Sequence, residues 1–479
     1  MTLRVFNTLG RKLEDFAPRE DGHVRLYTCG PTVYNVVHIG NLRTFLWEDV
    51  LRRHLLAKGW RVTQIMNLTD VDDKTIRGAA QAQMSLRDFT AKYADLFFRD
   101  IDRLGIRRVE GYPRATDHIP EMQEITAKLL QGGHAYESEG SVYFRIATFP
   151  EYGKLSGIDL TQARRGDRVA DDEYEKEDVK DFVLWKAGKP GEPSWPSPWG
   201  EGRPGWHIEC SAMSMKYLGA HFDMHTGAVD NIFPHHENEI AQSEAATGLR
   251  FVDVWLHAEH LIVNGEKMAK SKGNFFTLDD VLAKRNDPIA VRYLLLSVPY
   301  RTKLNFTFEL LAGAATAVGR IRSAAVRLEE VAASGAKKAG AFPAAARAEK
   351  FALDFMAAMD DDLNTSEALG TLFPYLRELN AAIDDHTLDP EGAAIAGAIL
   401  RAADGVLGIL PAAAEVLPAE IEAQIEARLA ARERRDFAEA DGSGMTLRRR
   451  GSFWRTARPA RGGSGRNMRS WPSRWRSGF

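Results

Sequence analysis

The chain has 479 residues, of which 44% are hydrophobic and 27% are charged, and its formal net charge is −3. This length predicts two to four domains, and the composition is that of an ordinary globular protein. There is no run of 18 or more apolar residues and no apolar core at the N-terminus, so we predict neither a transmembrane helix nor a signal peptide. Only two cysteines are present, which argues against a disulfide framework and favours the cytoplasm.

The N-terminal part of the chain has the pattern of a βαβ unit. Residues 23–27 alternate apolar and polar side chains and predict a strand, and residues 42–56 place apolar side chains at helical spacing. Gly30 and Pro31 form a turn between these two elements, and residues 61–68 predict a second strand. This order predicts a Rossmann-type parallel sheet whose ligands bind at the carboxyl ends of the strands.

The rest of the chain separates into an irregular segment and a helical region. Helical patterns occur at residues 85–135, 206–218, 236–246, 279–284 and 288–296. Residues 142–146 look like a strand, whereas residues 150–204 are irregular and hold a Pro- and Gly-rich stretch, which indicates an inserted subdomain. From about residue 308 the sequence is rich in Ala, Leu, Glu and Arg, with a linker at 334–343, and predicts a helical bundle.

The predicted organisation therefore has three parts. An α/β domain with a Rossmann-type parallel sheet covers residues 1–310 and carries an insertion at about 115–205. An all-α helical bundle covers residues 311–440. The final segment, 441–479, is basic: from Gly442 onward it contains ten arginines and no acidic residue.

Four residues have the chemistry of metal ligands. Cys29 follows the first predicted strand, Cys210 lies on a predicted helix, and His235 and Glu239 are four positions apart, so that they can share one face of a helix. Two thiolates, an imidazole and a carboxylate suit tetrahedral zinc. The spacing alone equally allows two buried free cysteines and a helix start with polar caps.

Two further motifs suggest an anion site. Residues 265–274 contain three lysines and two glycines, which is typical of a mobile cationic loop that can neutralise phosphate charge, although a solvated basic loop is the simpler interpretation. His38-Ile-Gly40-Asn41 lies at the start of a predicted helix, where free N–H groups favour a phosphate. A histidine at such a position can equally be a simple capping residue.

Taken together, these motifs resemble the cysteinyl-tRNA synthetase family of class I aminoacyl-tRNA synthetases. His38-Ile-Gly-Asn41 is similar to the HIGH-type signature, and Lys267-Met-Ala-Lys270-Ser is similar to the KMSKS signature. Three other stretches resemble the cysteine enzyme in particular, namely Tyr27-Thr-Cys-Gly-Pro-Thr-Val-Tyr, Gly205-Trp-His-Ile-Glu-Cys-Ser-Ala-Met and Phe233-Pro-His-His-Glu-Asn-Glu. Two departures are Ala269, where serine is usual, and a thinned glycine run at residues 226–230.

The resemblance implies an enzyme that activates L-cysteine with ATP and Mg²⁺ and transfers it to tRNA(Cys). Its zinc ion would be held by Cys29, Cys210, His235 and Glu239 and would bind the substrate thiolate. The amino-acid pocket would be lined by Gly30, Thr69 and Trp206. The nucleotide would lie against His38, Gly40, Asn41 and Asp230, with Lys267 and Lys270 acting on the phosphates. The expected state is a cytoplasmic monomer.

Two other functions remain open from the sequence. The cysteine ligase of mycothiol synthesis looks like the same catalytic core acting on an amino sugar, but the helical region after residue 310 favours the tRNA enzyme. A zinc-stabilised RNA-binding protein without catalysis is the second alternative. Retention of His38, Lys267 and Lys270 argues against it.

The basic tail departs from the family pattern, which would continue beyond Asp441 as an amphipathic helix. In a suitable back-translation, one added base after the Asp441 codon restores Asp-Arg-Ile-Arg-Asp-Asp-Leu-Ala, so a single-base deletion or sequencing error explains the tail. We then expect the tail to be disordered and anticodon recognition to be impaired. The alternative is a genuine basic tail in which Trp454, Trp471 and Trp475 stack on bases.

Overall fold

The computed structural model describes residues 2–158, 181–269, 272–334 and 340–410, which form two compact units. The sheet unit comprises Thr2–Leu261 with Tyr300–Lys303, and the helical unit comprises Ile262–Pro299 with residues 304–410. The basic tail lies outside the described residues, and so does the position of the single-base deletion suggested above. Within the described ranges, no helix is long and apolar enough to cross a membrane.

The described part of the sheet unit contains ten strands and six α-helices. In chain order these are β1 Arg4–Asn7, β2 Lys12–Asp15, β3 His23–Thr28, α1 Ile39–Ala57, β4 Arg61–Met66, α2 Asp73–Gln81, α3 Leu86–Arg103, α4 Ile119–Gln131, β5 Ala135–Ser138, β6 Ser141–Phe144, β7 Phe182–Ala187, β8 Gly202–Pro204, α5 Trp206–Leu218, β9 Phe222–Ala228, α6 Glu237–Thr247 and β10 Val252–Ala258.

The central sheet is fully parallel, which confirms the predicted α/β class. Its strand order is β10-β9-β3-β4, and every neighbouring pair runs in the same direction. The two middle strands, β3 and β9, are buried along almost their whole length, as expected for a parallel sheet that is covered on both faces. Their carboxyl ends lie at one edge, where the chain continues into Cys29 after β3.

Helix α1 begins at Ile39, three residues before the predicted start. The His38 side chain accepts a hydrogen bond from the Asn41 backbone N–H, and the Asn41 side chain accepts one from the His38 N–H, both at 3.2 Å. This reciprocal pair is a capping box built from histidine and asparagine. His38 therefore caps α1, and its role at the phosphates stays a prediction.

The segment predicted to be irregular contains two strands that the sequence analysis missed. Strands β7 and β8 complete a four-stranded antiparallel sheet in the order β5-β6-β7-β8. In β7, residues 182–185 are all buried and apolar, so the chain shows no alternation that would have predicted a half-buried strand. The prediction of irregular structure was wrong there because both faces of β7 are covered.

The elements of the helical unit, including the strand that leads into it, are in chain order β11 Leu261–Val263, β12 Glu266–Lys267, α7 Leu278–Lys284, α8 Pro288–Leu296, β13 Leu304–Phe306, α9 Phe308–Ala333, α10 Ala344–Asp360, α11 Thr365–Asp384 and α12 Pro390–Leu407. The described elements of the predicted all-α region are the helices α9 to α12, which confirms that prediction. The buried Arg292 of α8 donates its Nε–H to the Leu407 carbonyl at 2.7 Å, and the Thr365 hydroxyl donates to the Leu296 carbonyl at 2.7 Å. These bonds fasten α8 to the ends of α12 and α11.

Candidate metal and substrate site

The four predicted metal ligands come together in the sheet unit. Their donor atoms all lie within 4.8 Å of one another, and all four side chains are buried or nearly so. The Cys29 and Cys210 sulfurs are 3.9 Å apart, and His235 Nε2 is 3.0 Å from Glu239 Oε1. A buried group of two thiols, one imidazole and one carboxylate fits tetrahedral zinc by the chemistry of its donors.

Three secondary-structure elements bring these ligands together. The Cys29 N–H donates to the Thr226 carbonyl at 3.1 Å, which extends the pairing of β3 with β9 by one residue. Cys210 lies in the second turn of α5. His235 lies in a π-helical turn, Ile232–His236, just before α6, while Glu239 lies on α6 itself. The His235 and Glu239 side chains are four positions apart in the chain and face one another after this turn.

Burial and mutual contacts shift the pKa values of the cluster residues in different directions. Burial would raise the pKa of Glu239, but His225 and His235 lower it to about 2. Burial would lower the pKa of His235, whereas Glu239 and Cys210 raise it to about 10. Burial also opposes ionisation of Cys210, yet its hydrogen bonds with Cys29 and His235 bring its pKa to about 6. Contacts within the cluster thus stabilise the Glu239 carboxylate and the Cys210 thiolate, whereas burial raises the pKa of Cys29 well above its ordinary value.

A chain of histidines that the sequence analysis missed supports the cluster. His225 Nε2 lies 3.0 Å from Glu239 Oε2, and His236 Nε2 lies 3.2 Å from the Cys29 sulfur. His236 Nδ1 is hydrogen-bonded to His257 Nε2 at 2.8 Å, and His257 Nδ1 to the Thr8 hydroxyl at 2.8 Å. Cys29, His225, His236 and Glu239 form a second group with donor atoms within 4.8 Å.

His236 and His257 differ from the predicted ligand His235 in the direction of their pKa shifts. Burial and the neighbouring histidines lower the pKa of His236 well below its ordinary value, and burial lowers that of His257 to about 3. Both shifts favour the neutral ring, which can orient the residues that it contacts. The available sequence signal was the adjacent pair His235 and His236; His225 is a buried polar residue on a central strand.

The predicted amino-acid pocket residues lie beside these ligands. The Trp206 ring stacks on His235 with centroids 4.2 Å apart, and 42% of Trp206 is exposed. Gly30 follows Cys29, and a Cβ atom there would lie 1.8 Å from the Asn67 carbonyl oxygen, so only glycine fits. The buried Thr69 hydroxyl donates to Glu209 Oε2 at 2.9 Å, and Glu209 precedes Cys210.

The predicted nucleotide residues of the sheet unit are more exposed. His38 is half-buried and caps α1, Gly40 is half-buried in its first turn, and Asn41 is exposed. Asp230 is exposed in a short 3-10 turn, Val229–Asn231, after β9. The helix start at His38 therefore presents its N-terminus with two polar side chains around it.

The signature lysine loop belongs to the helical unit. Lys267 ends β12, whereas Lys270 lies outside the described residues. Asn274 accepts a hydrogen bond from the Ala269 N–H at 2.8 Å and donates to the Lys267 carbonyl at 3.2 Å. Lys272 pairs with Glu266 at 2.9 Å. Asn274 thus braces the backbone on the side of the loop that carries Lys267.

Comparison with known proteins decides the family. Residues 15–316 match the model for the class I (C) tRNA synthetase catalytic domain, and residues 354–411 match the DALR domain. A cysteine–tRNA ligase of Solibacter usitatus is 48% identical over 445 residues, which cover 92% of this chain and 95% of the relative. The chain belongs to the cysteine–tRNA ligase family. The cysteine–tRNA ligase of Brachyspira hyodysenteriae is 50% identical over 79% of this chain and 81% of its own length.

Solved structures of other synthetases share the fold of this member of the cysteine–tRNA ligase family. Methionyl-tRNA synthetase of Mycobacterium tuberculosis, solved with methionyl-adenylate, superposes with a TM-score of 0.58 at 17% identity. The match covers 81% of this chain and 90% of the other. At that identity the likeness concerns the architecture alone.

Proposed function

We propose that the protein activates L-cysteine with ATP to form cysteinyl-adenylate and then transfers the cysteinyl group to tRNA(Cys). The observation that carries this proposal is the convergence of Cys29, Cys210, His235 and Glu239, together with the stacking of Trp206 on His235. A thiol-selective site beside an aromatic side chain suits an amino acid whose only distinguishing group is sulfur.

Cys29, Cys210, His235 and Glu239 would hold one zinc ion. When bound, zinc supplies a Lewis acid that prefers the substrate's thiolate to the hydroxyl of serine. A pocket that measures size alone separates such close analogues by only about 1–3 kcal/mol. Glu239, which His225 contacts, and the two thiols, whose sulfurs contact one another, would serve as ligands of this ion.

The chain's own residues would position the reacting groups. Trp206, Gly30 and Thr69 would surround the amino acid and leave its carboxylate free to attack the α-phosphate of ATP. The N-terminus of α1, with His38, Gly40 and Asn41, would bind the phosphates through its N–H groups, and Asp230 would contact the nucleotide. Catalysis would then come mainly from orientation and from electrostatic stabilisation of the transferred charge.

Charge on the leaving pyrophosphate would be neutralised by Mg²⁺ bound to ATP and by Lys267 and Lys270. We propose this role from the family signature of the loop. The helical unit, with its DALR-domain match, is the part we assign to tRNA recognition. We further propose that the protein is a cytoplasmic monomer.

The test is cysteine-dependent exchange of pyrophosphate into ATP, followed by charging of tRNA(Cys). We expect both activities in the zinc-loaded protein, and no exchange at all would refute the proposal. The amino-sugar acceptor of mycothiol synthesis should be assayed in parallel. The family matches do not favour that acceptor, so we expect transfer to tRNA only.

A further inference from the structure

Arg43, on helix α1, is a buried cation that donates hydrogen bonds to three backbone carbonyls. Only 2% of Arg43 is exposed. Its Nη1 donates to the Glu259 carbonyl at 2.6 Å and to the His260 carbonyl at 3.3 Å, and its Nη2 donates to the Thr302 carbonyl at 2.6 Å. Burial lowers the pKa of Arg43 to about 10, so the guanidinium stays charged at neutral pH. One side chain therefore joins two stretches of backbone that are distant in the chain.

These two stretches are the places where the chain passes between the two units. The chain leaves the sheet unit after Leu261, and Tyr300–Lys303 belong to the sheet unit again. We call residues 259–261 and Tyr300–Lys303 the two connectors. The Glu259 N–H donates to the Tyr300 carbonyl at 2.8 Å, so the connectors are also bonded to each other.

A second side chain of α1 packs on one of these connectors. Trp47 stacks on Tyr300 with ring centroids 4.5 Å apart and an angle of 21° between the planes, and both residues are at most 5% exposed. Arg43 and Trp47 are four positions apart, so they share one face of α1. The helix that begins after His38 thus contacts both connectors through a single face.

The strands next to the lysine loop begin at the connectors. Strand β11 begins at Leu261, and β13 begins at Leu304, directly after the second connector. These two strands form one sheet with β12 in the order β12-β11-β13, and β12 ends at Lys267. The Gly265 N–H donates to Asn305 Oδ1 at 2.8 Å, which joins the turn before β12 to β13. A displacement of the connectors would therefore be passed on to Lys267.

We propose that Arg43 is a positioning residue that fixes the lysine loop by holding both connectors. This inference rests on the proposed function, in which Lys267 neutralises charge on the leaving pyrophosphate. A planar guanidinium can bind separate carbonyls in directions that its geometry fixes, whereas a lysine ammonium is a point charge. Because the charge on the pyrophosphate develops in the transition state, a misplaced Lys267 should lower kcat and leave the binding of cysteine unchanged.

Two substitutions of Arg43 and one matched control test this role. Arg43→Met removes the donors and keeps an apolar stem, whereas Arg43→Lys keeps the charge without the planar fork. The control is Arg53→Met on the same helix. Arg53 is also buried, and it donates to the Gly105 carbonyl at 2.6 Å and to Asp49 at 2.7 Å, two partners that lie outside the connectors. Zinc content and thermal stability are measured for each variant.

The first readout is the steady-state kinetics of cysteine-dependent ATP–pyrophosphate exchange. We expect Arg43→Met to lower kcat by roughly tenfold to a hundredfold, which is the loss that a small misplacement of a reacting group causes. The KM for cysteine and the zinc content should stay as in the unmodified protein. Arg43→Lys should recover part of the loss in kcat. Arg53→Met should lower stability and keep its kcat; an equal fall in kcat for this control would overturn the inference.

The decisive comparison repeats Arg43→Met in a Lys267→Ala background. If Arg43 acts through Lys267, its substitution should cause little further loss of kcat once the lysine is absent, because the two residues then form one coupled unit. Arg53→Met should show the same small effect in both backgrounds. Equal losses for Arg43→Met in both backgrounds would overturn the inference, and so would an unchanged kcat in the single Arg43 variant.

Hydrogen exchange tests the same contacts without relying on catalysis. The Glu259 and Asn264 amides donate to the Tyr300 and Phe306 carbonyls, and their hydrogen exchange should become faster in Arg43→Met but not in Arg53→Met. Unchanged hydrogen exchange in Arg43→Met would show that Arg43 does not hold the connectors. If the unmodified protein shows no cysteine-dependent pyrophosphate exchange, the proposed function itself fails, which is a separate result.

Discussion

The indole of Trp206 stacks on the imidazole of His235, with ring centroids 4.2 Å apart and an angle of 23° between the planes. His235 is buried, but 42% of the indole remains exposed. One aromatic side chain therefore covers a candidate metal ligand and still offers surface to a substrate.

Removal of the indole should weaken amino-acid binding more than folding. We expect Trp206→Ala to raise the KM for cysteine by roughly tenfold, because an aromatic contact contributes about 0.5–1.5 kcal/mol beyond its buried area. Trp206→Phe should recover part of this loss. Steady-state pyrophosphate exchange measures both variants. The control is Tyr217→Ala on the same helix, since Tyr217 is 47% exposed and pairs with His118 away from the cluster. A similar rise in KM for that variant would argue against a pocket role for Trp206.

Glycine at position 30 should be indispensable for stability. A Cβ atom there would approach the Asn67 carbonyl oxygen to 1.8 Å, so Gly30→Ala should lower the free energy of unfolding by about 3 kcal/mol or more. Gly313→Ala in α9 is the control, because its added methyl would meet open space. That variant should gain up to about 1 kcal/mol from helix propensity. Urea unfolding compares the two, and equal stability of the Gly30 variant with the parent would contradict the observed close approach.

An ion pair should make stability depend on acid pH. Burial would raise the pKa of Asp73, but Lys186 and Arg203 lower it to about 2. Because the folded-state pKa lies below the unfolded one, the pair stabilises the fold at pH values above about 4 and this contribution fades as the pH falls towards 2. Asp73→Asn should therefore be less stable than the parent at pH 7, with a difference that shrinks between about pH 4 and pH 2. The control is Asp95→Asn at an exposed position, for which the difference in stability from the parent should not change over this pH range. If the difference in stability for Asp73→Asn does not depend on pH, the ion pair is not its cause.

Loss of one thiol should remove the metal. Since Cys210 Sγ lies 3.9 Å from Cys29 Sγ within the four-donor group, Cys210→Ala leaves three ligands and should lower the bound zinc from one equivalent to a small fraction. Elemental analysis of the purified protein gives the ratio. Ser214→Ala, one helical turn further along α5 and equally buried, is the control and should retain its zinc. Normal zinc content in Cys210→Ala would place the metal elsewhere.

The sequence predicted two of the helices at their observed bounds. The patterns at 206–218 and 288–296 match α5 and α8 residue for residue. It failed where both faces of an element are covered, as in β7, whose buried run Phe182–Trp185 has no period. The i, i+4 spacing brought His235 to Glu239 as expected.

The supporting residues of the site could not be predicted in the same way. His225 and His257 reach the cluster only because β9 and β10 pair in parallel with a particular register. Glu209 is hydrogen-bonded to Thr69, 140 positions away in the chain, and Asn67 is hydrogen-bonded to Gly30, 37 positions away. Such contacts leave no local signal. From the sequence, only the family resemblance indicated that these distant segments form one site.

The most direct test of the central claim is the ratio of cysteine-dependent to serine-dependent pyrophosphate exchange, measured before and after zinc removal. A pocket that senses size alone reaches a ratio of up to about 200. We predict a ratio well above this limit in the zinc-loaded protein. When zinc is removed, we expect cysteine activation to be lost, and it should recover when zinc is added back. Equal discrimination between cysteine and serine without zinc would contradict this claim. A cysteine-to-serine ratio of about 200 or less in the zinc-loaded protein would contradict it as well.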